Sequence, residues 1–295
     1  MIGYYPGCTL KSKAKNLEDS ALACLQALEV KVAELPRWNC CGAVFSLADD
    51  DLIHHLAPVR DLIRAKDLGY DRLMTLCSMC YNTLARANLL MKEDDEKRKT
   101  INLFMDEEND YFGDVKVIHF LQLLKEEVGW DKLKTAVKVP LKGLKVASYY
   151  GCTLIRPKEV AIEEPSHLQL LDEMLFAIGA EVVPFEDATA CCSSYQILAN
   201  ESAALEASAK ILRTATRQGV EALAMSCPVC EYNLGKRQKD IRKKDTHIGS
   251  IPTFYFTQLL AISLGVPSAQ LGLPLNEPIA AELLKNKNYI TQAAL

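Results

Sequence analysis

Cysteine is the residue type with the greatest chemical potential in this chain, and its spacing is regular. The sequence has eleven cysteines in 295 residues. Each half of the chain carries one cysteine after a glycine, then an adjacent cysteine pair, then a Cys-x-x-Cys unit. The first set comprises Cys8, Cys40, Cys41, Cys77 and Cys80, and the second comprises Cys152, Cys191, Cys192, Cys227 and Cys230.

Ten cysteines in this arrangement predict metal ligation. Iron–sulfur clusters are held by cysteine thiolates, usually four per cubane. Structural zinc takes four tetrahedral ligands, commonly from two Cys-x-x-Cys units, and each half has one such unit. Five thiolates from separate turns therefore favour an iron–sulfur cluster that is not an ordinary cubane or that has one labile ligand. Structural zinc and reversible disulfides are the alternatives, and the eleventh cysteine, Cys24, is expected in the core.

The elements that must position these cysteines occur in two copies. The openings GYYPGCTLKS and SYYGCTLIRP match, and the copies close with IHFLQLL and FYFTQLL. Strand-like and helix-like runs alternate in both, which predicts an α/β fold of two tandem, pseudo-symmetric units with mostly parallel sheets. The predicted strands are MIGYY, KVAEL, RLMTL and VKVI in the first copy, and LKVASYY, EVVPF, EALAM and TFY in the second.

The cysteines fall in loops at the ends of these strands, the edge at which open α/β sheets bind ligands. We predict a first cysteine-rich, cluster-binding domain over residues 1–140. A second such domain follows over residues 141–295, with a C-terminal extension from Val266 onward that packs on the second copy.

Composition and charge exclude several other functions. The net charge of −4, with 49% hydrophobic and 24% charged residues, is that of a globular protein without a polyanion-binding signal, so we expect no nucleic-acid partner. No apolar run reaches about 18 residues, and no signal peptide is visible, which predicts no membrane insertion and a cytoplasmic location. No glycine-rich phosphate fingerprint appears, so we expect neither flavin nor nicotinamide on this chain.

The pattern Cys…Cys-Cys-Gly…Cys-x-x-Cys, present twice, resembles the duplicated Cys-Cys-Gly cysteine-rich domain family over essentially residues 1–265. Within it, the length, the duplication and the lack of an amino-terminal ferredoxin motif are most similar to the B subunits of methanogen heterodisulfide reductases. Related subunits occur in thiol:fumarate reductases, lactate and glycolate oxidases and glycerol-3-phosphate dehydrogenases. One departure is Ser193, which stands where the motif has glycine and puts the equivalence of the two loop geometries in question.

The resemblance implies two 4Fe–4S clusters, probably of a non-cubane type, each held by one five-cysteine set. It also implies a substrate, the mixed disulfide of coenzyme M and coenzyme B, which is reduced to two thiols. We expect this disulfide between the copies, with one electron from each cluster. The cysteines expected to act in catalysis as well as in cluster binding are Cys8, Cys41, Cys152 and Cys192.

The implied partners are a ferredoxin-like C subunit and a flavin-bearing A subunit, with hydrogenase or formate dehydrogenase upstream. Because the implied substrate carries anionic groups, basic side chains near the first cysteines are candidates for binding it. The candidate substrate residues are Lys11, Lys13, Arg156 and Lys158, with Ser193 and Tyr195 after the second cysteine pair; solvated charges and ordinary turn residues are the alternative. Two other functions stay open: an electron-relay subunit of a thiol:fumarate reductase or hydroxyacid oxidoreductase, and a zinc-bearing structural or redox-sensing subunit.

Overall fold

A computed structural model describes residues 1–43 and 52–291. In it the chain forms two parallel four-stranded sheets, in the strand orders β2-β1-β3-β4 and β6-β5-β7-β8. The strands are β1 Ile2–Tyr5, β2 Val32–Glu34, β3 Arg72–Thr75, β4 Lys116–His119, β5 Lys145–Ser148, β6 Glu181–Val182, β7 Ala222–Met225 and β8 Thr253–Tyr255. All eight predicted strands are present, and the predicted α/β fold of two similar units is confirmed.

Helices connect and cover the strands in both halves. In the first half they are α1 Lys15–Ala27, α2 Ile53–Asp67, α3 Ser78–Glu93, α4 Asp95–Phe104, α5 Phe120–Leu123, which a π-helical turn Leu124–Val128 extends, and α6 Trp130–Ala136. In the second half they are α7 Leu170–Ala177, α8 Glu201–Arg217, α9 Pro228–Glu231, which a π-helical turn Tyr232–Lys236 extends, α10 Gln238–Lys244, α11 Phe256–Ser263 and α12 Pro278–Asn286.

The central strands are short, apolar and buried, as parallel strands covered by helices on both faces must be. Strand β1 is buried along its whole length, and so is β7, which corresponds in the second sheet to β3 in the first. Strand β1 pairs in register with β3, so that Tyr5 lies opposite Thr75. Because the strands are parallel, their carboxyl ends meet at one edge of each sheet.

The two halves pack against each other through exchanged helices. Helix α1 of the first half lies on α11 of the second, where the Ser20 and Thr257 hydroxyl oxygens are 2.7 Å apart. The rings of Phe120 and Phe256 meet across the boundary with centroids 5.9 Å apart. The buried Cys24 contributes to the same contact, with its Sγ 3.5 Å from the Thr257 carbonyl. Each half therefore completes its core with a helix of the other.

The C-terminal extension contacts both halves rather than the second alone. Asn276 donates to the Thr253 carbonyl of β8, at 3.1 Å. Its side-chain oxygen also accepts a hydrogen bond from Asn16 of α1, at 2.9 Å. The extension thus fastens the first half to the second, which local sequence could not indicate because the partners lie 260 positions apart.

Candidate metal centre and substrate cavity

The ten recurring cysteines lie at the carboxyl edges of the two sheets. In the first half, Cys8 follows β1, and Cys77 follows β3 and is the N-cap of α3, so that Cys80 lies in the first helical turn. In the second half, Cys227 is the N-cap of α9 and Cys230 lies within that helix. The parallel register of the strands therefore brings together cysteines that are far apart in sequence.

The first set forms a connected row of sulfur atoms. Cys40 Sγ is 3.4 Å from Cys8 Sγ, and Cys41 Sγ is 3.6 Å from Cys80 Sγ. Cys80 in turn shares a hydrogen bond with Cys77. These are non-bonded separations, because a disulfide bond is about 2.05 Å long, and all eleven cysteines are free thiols.

The second set repeats this arrangement. Cys192 Sγ is 3.4 Å from Cys230 Sγ, Cys230 shares a hydrogen bond with Cys227, and Cys152 shares one with Cys191. Among the described residues, no three His, Cys, Asp or Glu side chains are arranged to hold a single metal ion. Five thiols in a row exceed the four ligands that a single tetrahedral ion takes, so they fit a polynuclear group held by cysteine thiolates better than one ion.

Three thiols of the two rows have a lowered pKa. Hydrogen bonds from Cys40 and Cys80 lower the pKa of Cys41 well below its usual value. In the second half, the hydrogen bond from Cys152 lowers the pKa of Cys191 to about 6, and the one from Cys230 lowers the pKa of Cys192. Thiolates are the metal-binding form of cysteine, so these three thiols are the ones most readily deprotonated for ligation, whereas hydrogen bonds from their neighbours raise the pKa of Cys80 and Cys230.

A tyrosine at the end of the first strand holds each cysteine pair in place. The Tyr5 hydroxyl donates to the carbonyl of Asn39, the residue before Cys40, at 2.6 Å. The Tyr149 hydroxyl donates at 2.6 Å to the carbonyl of Ala190, in the matching position before its cysteine pair. Sequence analysis did not assign this role, although the recurrence of tyrosine before both first cysteines is the signal that could have revealed it.

Glycine allows the backbone to pass close to the sulfur row. Gly7 has φ +76°, and a Cβ at that position would lie 2.9 Å from Cys80 Sγ. Gly151 has φ +66°, and its Cβ would lie 3.5 Å from Cys230 Sγ. Both positions need a left-handed backbone, which glycine adopts without strain. Because Gly7 has no side chain, the space beside the thiols stays free for a group bound to them.

The serine that replaces glycine in the second motif keeps the backbone conformation of the first. Ser193 has φ +69° and Gly42 has φ +70°. A left-handed conformation is costly for a residue with a side chain, and Ser194 adopts one as well, with φ +50°. The buried Asn233 holds this turn by donating to the carbonyls of Cys192 and Ser194, each at 2.9 Å, and its Nδ2 is also 3.5 Å from Cys192 Sγ.

A cavity of about 730 Å³ opens between the halves beside the second Cys-x-x-Cys unit. Its walls come from the Cys8 loop of the first half, from the turn after the second cysteine pair, and from α9. They are mainly apolar, with lysines and one carboxyl among them. The lining residues are Thr9, Lys13, Ala14, Tyr195, Ile197, Leu198, Pro228, Val229, Glu231, Tyr232, Lys236, Tyr255 and Leu275.

Beside the first Cys-x-x-Cys unit, the described residues join the two halves directly. There Asn82, two residues after Cys80, donates to the carbonyls of Thr153 and Arg156 at 2.8 and 2.7 Å. These bonds tie the loop of the second half directly onto α3. The residue equivalent to Asn82 is Tyr232, which lines the open cavity instead. Among the described residues, the two copies therefore differ in how the loop of one half meets the helix of the other.

The structure distributes the candidate substrate residues over different environments. Tyr195 and Lys13 line the cavity. Lys11 instead forms ion pairs with Glu18 and Glu34, both at 2.7 Å. Arg156 donates to the Thr189 carbonyl at 3.0 Å, close to the second cysteine pair.

Ser193 occupies the left-handed turn after that pair. Lys158 pairs with Glu164 at 3.4 Å.

Two buried acids near the cysteines were missed by sequence reasoning. Asp61 of α2 is fully buried and accepts a hydrogen bond at 2.7 Å from the Asn39 amide, and burial raises its pKa to about 8. Glu231, next to Cys230, is 6% exposed, and burial raises its pKa to about 7. No periodicity distinguishes these residues from surface acids, because only the packing of distant segments buries them.

Comparison with known proteins gives the family. A cysteine-rich domain model, named CCG, matches residues 2–85 and again residues 146–235. The chain belongs to the CCG cysteine-rich domain family. The two matched stretches contain all ten recurring cysteines, and they confirm the duplicated arrangement.

Two relatives of this CCG chain are similar over nearly their whole length. One is the "8-methylmenaquinol:fumarate reductase membrane anchor subunit" of Wolinella succinogenes, 32% identical, with 96% of this chain and 98% of that protein covered. Another is the B subunit of the "Ferredoxin/F(420)H(2)-dependent CoB-CoM heterodisulfide reductase" of Methanosarcina acetivorans, 33% identical, with 93% of each chain covered. The resemblance to heterodisulfide reductase B subunits is thereby confirmed.

A solved structure shares the fold. A hypothetical protein from Helicobacter pylori superposes with a TM-score of 0.74 at 15% identity, over 93% of this chain. The present chain spans about half the length of that protein, at 51%. Among the helices of the described residues, none has the length and apolar character needed to cross a membrane. The family and the cysteine geometry together support an iron–sulfur subunit of a redox enzyme that works within a multi-subunit complex.

Proposed function

We propose that this chain is the catalytic iron–sulfur subunit that reduces the heterodisulfide of coenzyme M and coenzyme B to two thiols. The observation that carries the proposal is the pair of five-thiol rows, one in each half, with a cavity between the halves beside the second row. The similarity to heterodisulfide reductase B subunits supports the substrate.

The chain's own residues supply ligands and a shaped site in this proposal. Cys8, Cys40, Cys41, Cys77 and Cys80 would hold one non-cubane 4Fe–4S cluster, and Cys152, Cys191, Cys192, Cys227 and Cys230 would hold the other. When bound, two such clusters supply one electron each, which matches the two electrons that a disulfide consumes. The reaction takes up two electrons and two protons, breaks the S–S bond and releases two thiols.

Burial controls access to the sulfur rows. Cys41 and Cys192 are at most 2% exposed, whereas Cys8, Cys40 and Cys191 are exposed at the surface of the polypeptide. The inner thiols would therefore hold the group against the protein, and the outer ones would face the substrate. The proposal places the substrate disulfide between Cys8 and the α9 end of the cavity, with electrons arriving from a ferredoxin-like C subunit and a flavin-bearing A subunit.

The test begins with protein purified without oxygen. About eight iron and eight sulfide per chain are expected for two four-iron clusters, together with heterodisulfide reduction by a reduced viologen dye. Cys41→Ser and Cys192→Ser should each lower the iron content and abolish heterodisulfide reduction. Cys24→Ala is the matched control. That thiol lies in the interface between the halves and outside both rows, so its loss should change neither the iron content nor the reduction of heterodisulfide. Zinc alone in such protein, or full activity of either ligand variant, would overturn the proposal.

A second function is favoured by one comparison. The fumarate reductase subunit of Wolinella succinogenes matches 98% of its own length, so this chain could instead relay electrons in a fumarate reductase of that kind. A relay subunit would bind iron and sulfide equally well but would not turn over the heterodisulfide with viologen. It would restore electron transfer only when combined with the other subunits of such a reductase.

A further inference from the structure

A hydrogen bond between two serines joins the halves at their Cys-x-x-Cys units. The hydroxyl oxygens of Ser78 and Ser226 are 2.5 Å apart, within the range of O–H···O bonds. Ser78 follows Cys77 at the start of α3, and Ser226 precedes Cys227, the N-cap of α9. Both serines are at most 3% exposed. The bond therefore connects residues that adjoin one cysteine of each row.

The start of α3 has further contacts with the second half. The Ser194 hydroxyl lies 3.9 Å from the sulfur of Met79, the residue before Cys80. Ser194 belongs to the left-handed turn after the second cysteine pair. One turn later, Asn82 donates to two carbonyls of the second half. The helix that carries Cys80 is therefore placed against the loops that carry the second row.

The inner cysteines of both rows also surround one tyrosine. Burial raises the pKa of Tyr255 well above its usual value, and the charges of Glu231, Cys227, Cys77 and Cys230 raise it further. Because the interaction between charges weakens with distance, a side chain that responds to both rows lies close to both. The serine bond is thus a contact between two cysteine rows that are near each other.

The serine bond has no pseudo-symmetric counterpart. The positions equivalent to Ser78 and Ser226 are Pro228 and Leu76, whose side chains have no hydrogen-bonding group. Pro228 instead lines the cavity between the halves. Buried hydroxyls are costly unless they are bonded, so the pair favours the one arrangement of the interface in which the two oxygens meet.

We propose that Ser78 and Ser226 are positioning residues that set the separation of the two cysteine-bound centres. The inference rests on the proposed function for the presence of two centres and one shared substrate, but not for the contact itself. Two centres that each deliver one electron to the same S–S bond must both reach it. A displacement of about 1 Å costs about a hundredfold in rate, so a fixed separation has a direct effect on turnover.

A second buried hydroxyl pair between the halves provides the matched control. Ser20 and Thr257 meet at 2.7 Å, between α1 and α11 and outside both rows. Ser78→Ala, Ser226→Ala and Ser20→Ala each remove one hydroxyl from such a pair. The three variants should therefore lose comparable stability, and only the first two should alter the separation of the centres.

Electron paramagnetic resonance of anaerobically purified, cluster-loaded protein measures the separation. When both centres are paramagnetic, their magnetic interaction weakens steeply with distance. The interaction should be weaker and more widely distributed in Ser78→Ala and Ser226→Ala than in the unaltered protein, and unchanged in Ser20→Ala. Hydrogen exchange should also become faster at the start of α3 in the first two variants alone.

Kinetics of heterodisulfide reduction by a reduced viologen dye test the consequence. The kcat should fall about tenfold in Ser78→Ala and Ser226→Ala, with KM and iron content unchanged. The double variant should be no slower than the slower single variant, because both substitutions act through one bond. An unchanged magnetic interaction in both single variants, or an equal change in Ser20→Ala, would overturn the proposal.

The magnetic readout also separates this inference from the proposed function. A changed interaction in Ser78→Ala, in a protein that reduces no heterodisulfide, would contradict the proposed reaction and leave the positioning role intact. Reduction of heterodisulfide with an unchanged interaction in both serine variants would do the opposite.

Discussion

Alanine at Gly7 and at Gly151 should affect the two cysteine rows unequally. Both glycines are left-handed, with φ +76° and +66°, so both substitutions carry a similar backbone cost of about 1–2 kcal/mol. They differ in what the new Cβ meets: Cys80 Sγ at 2.9 Å in the first half, and Cys230 Sγ at 3.5 Å in the second. Only the first contact is too short to be accepted without movement.

The displacement required can be worked out from these distances. To restore the 3.5 Å that the second half tolerates, Cys80 Sγ must move by 3.5 − 2.9 = 0.6 Å. The same sulfur lies 3.6 Å from Cys41 Sγ, so the movement alters the spacing of the row. Functional constellations need to be held within about 0.5 Å, so the first centre should be lost and the second retained.

Iron content and unfolding measurements on anaerobically purified protein test this reasoning. Gly7→Ala should contain about half the iron of the unaltered protein, and Gly151→Ala nearly all of it. The denaturation midpoints of the two metal-free variants should fall by similar amounts, because the backbone strain is common to both. Equal iron loss in the two variants, or full iron in Gly7→Ala, would refute the argument from the sulfur contact.

Three further outcomes are expected. Asn233→Thr installs the residue found at the equivalent position, Thr83, and removes an N–H donor from a ligand sulfur. It should lower the midpoint potential of the second centre alone, as measured by redox titration with electron paramagnetic resonance. The control Thr83→Val should change neither potential. Burial lowers the pKa of His119 to about 4, below its unfolded value of 6.5. The free energy of unfolding should therefore fall by about 3 kcal/mol as the pH drops from 6.5 to 4. His119→Gln should flatten this part of a plot of unfolding free energy against pH. Phe256 joins the two halves, so Phe256→Ala should lower the free energy of unfolding by about 3–5 kcal/mol and still give a single transition in calorimetry. The control Phe176→Ala removes an exposed ring and should lower it little. Two separate transitions would contradict the shared core.

The strands and the cysteine edges could be predicted because their signals are local. Runs such as RLMTL and EALAM are short and apolar, and each ends one or two positions before a cysteine, so alternation with helices was enough to assign them. The family pattern likewise depends on spacing alone. The positive φ at Ser193 had no such local signal, because serine is not typical of left-handed turns. The Asn233 side chain that holds this turn comes from another element.

The cavity could not be predicted, because its walls come from segments that are far apart in the sequence. At the first Cys-x-x-Cys unit, Asn82 donates to two carbonyls of the opposite loop, whereas at the second the equivalent Tyr232 lines the cavity. That difference is one side chain in each copy, and its effect is visible only when both halves are packed together. The burial of Glu231 follows from the same packing.

The exchange of helices between the halves also sets an order of events during synthesis. Helix α1 leaves the ribosome early, but α11, which covers it, is among the last helices to be made. Until then Leu17 and Cys24, both fully buried in the finished protein, have no permanent cover. Nascent domains usually fold from the amino terminus as they appear, whereas this chain must keep its first half incomplete until nearly all of it has been translated. Under the proposed function, loading of iron into the first cysteine row should therefore follow chain completion.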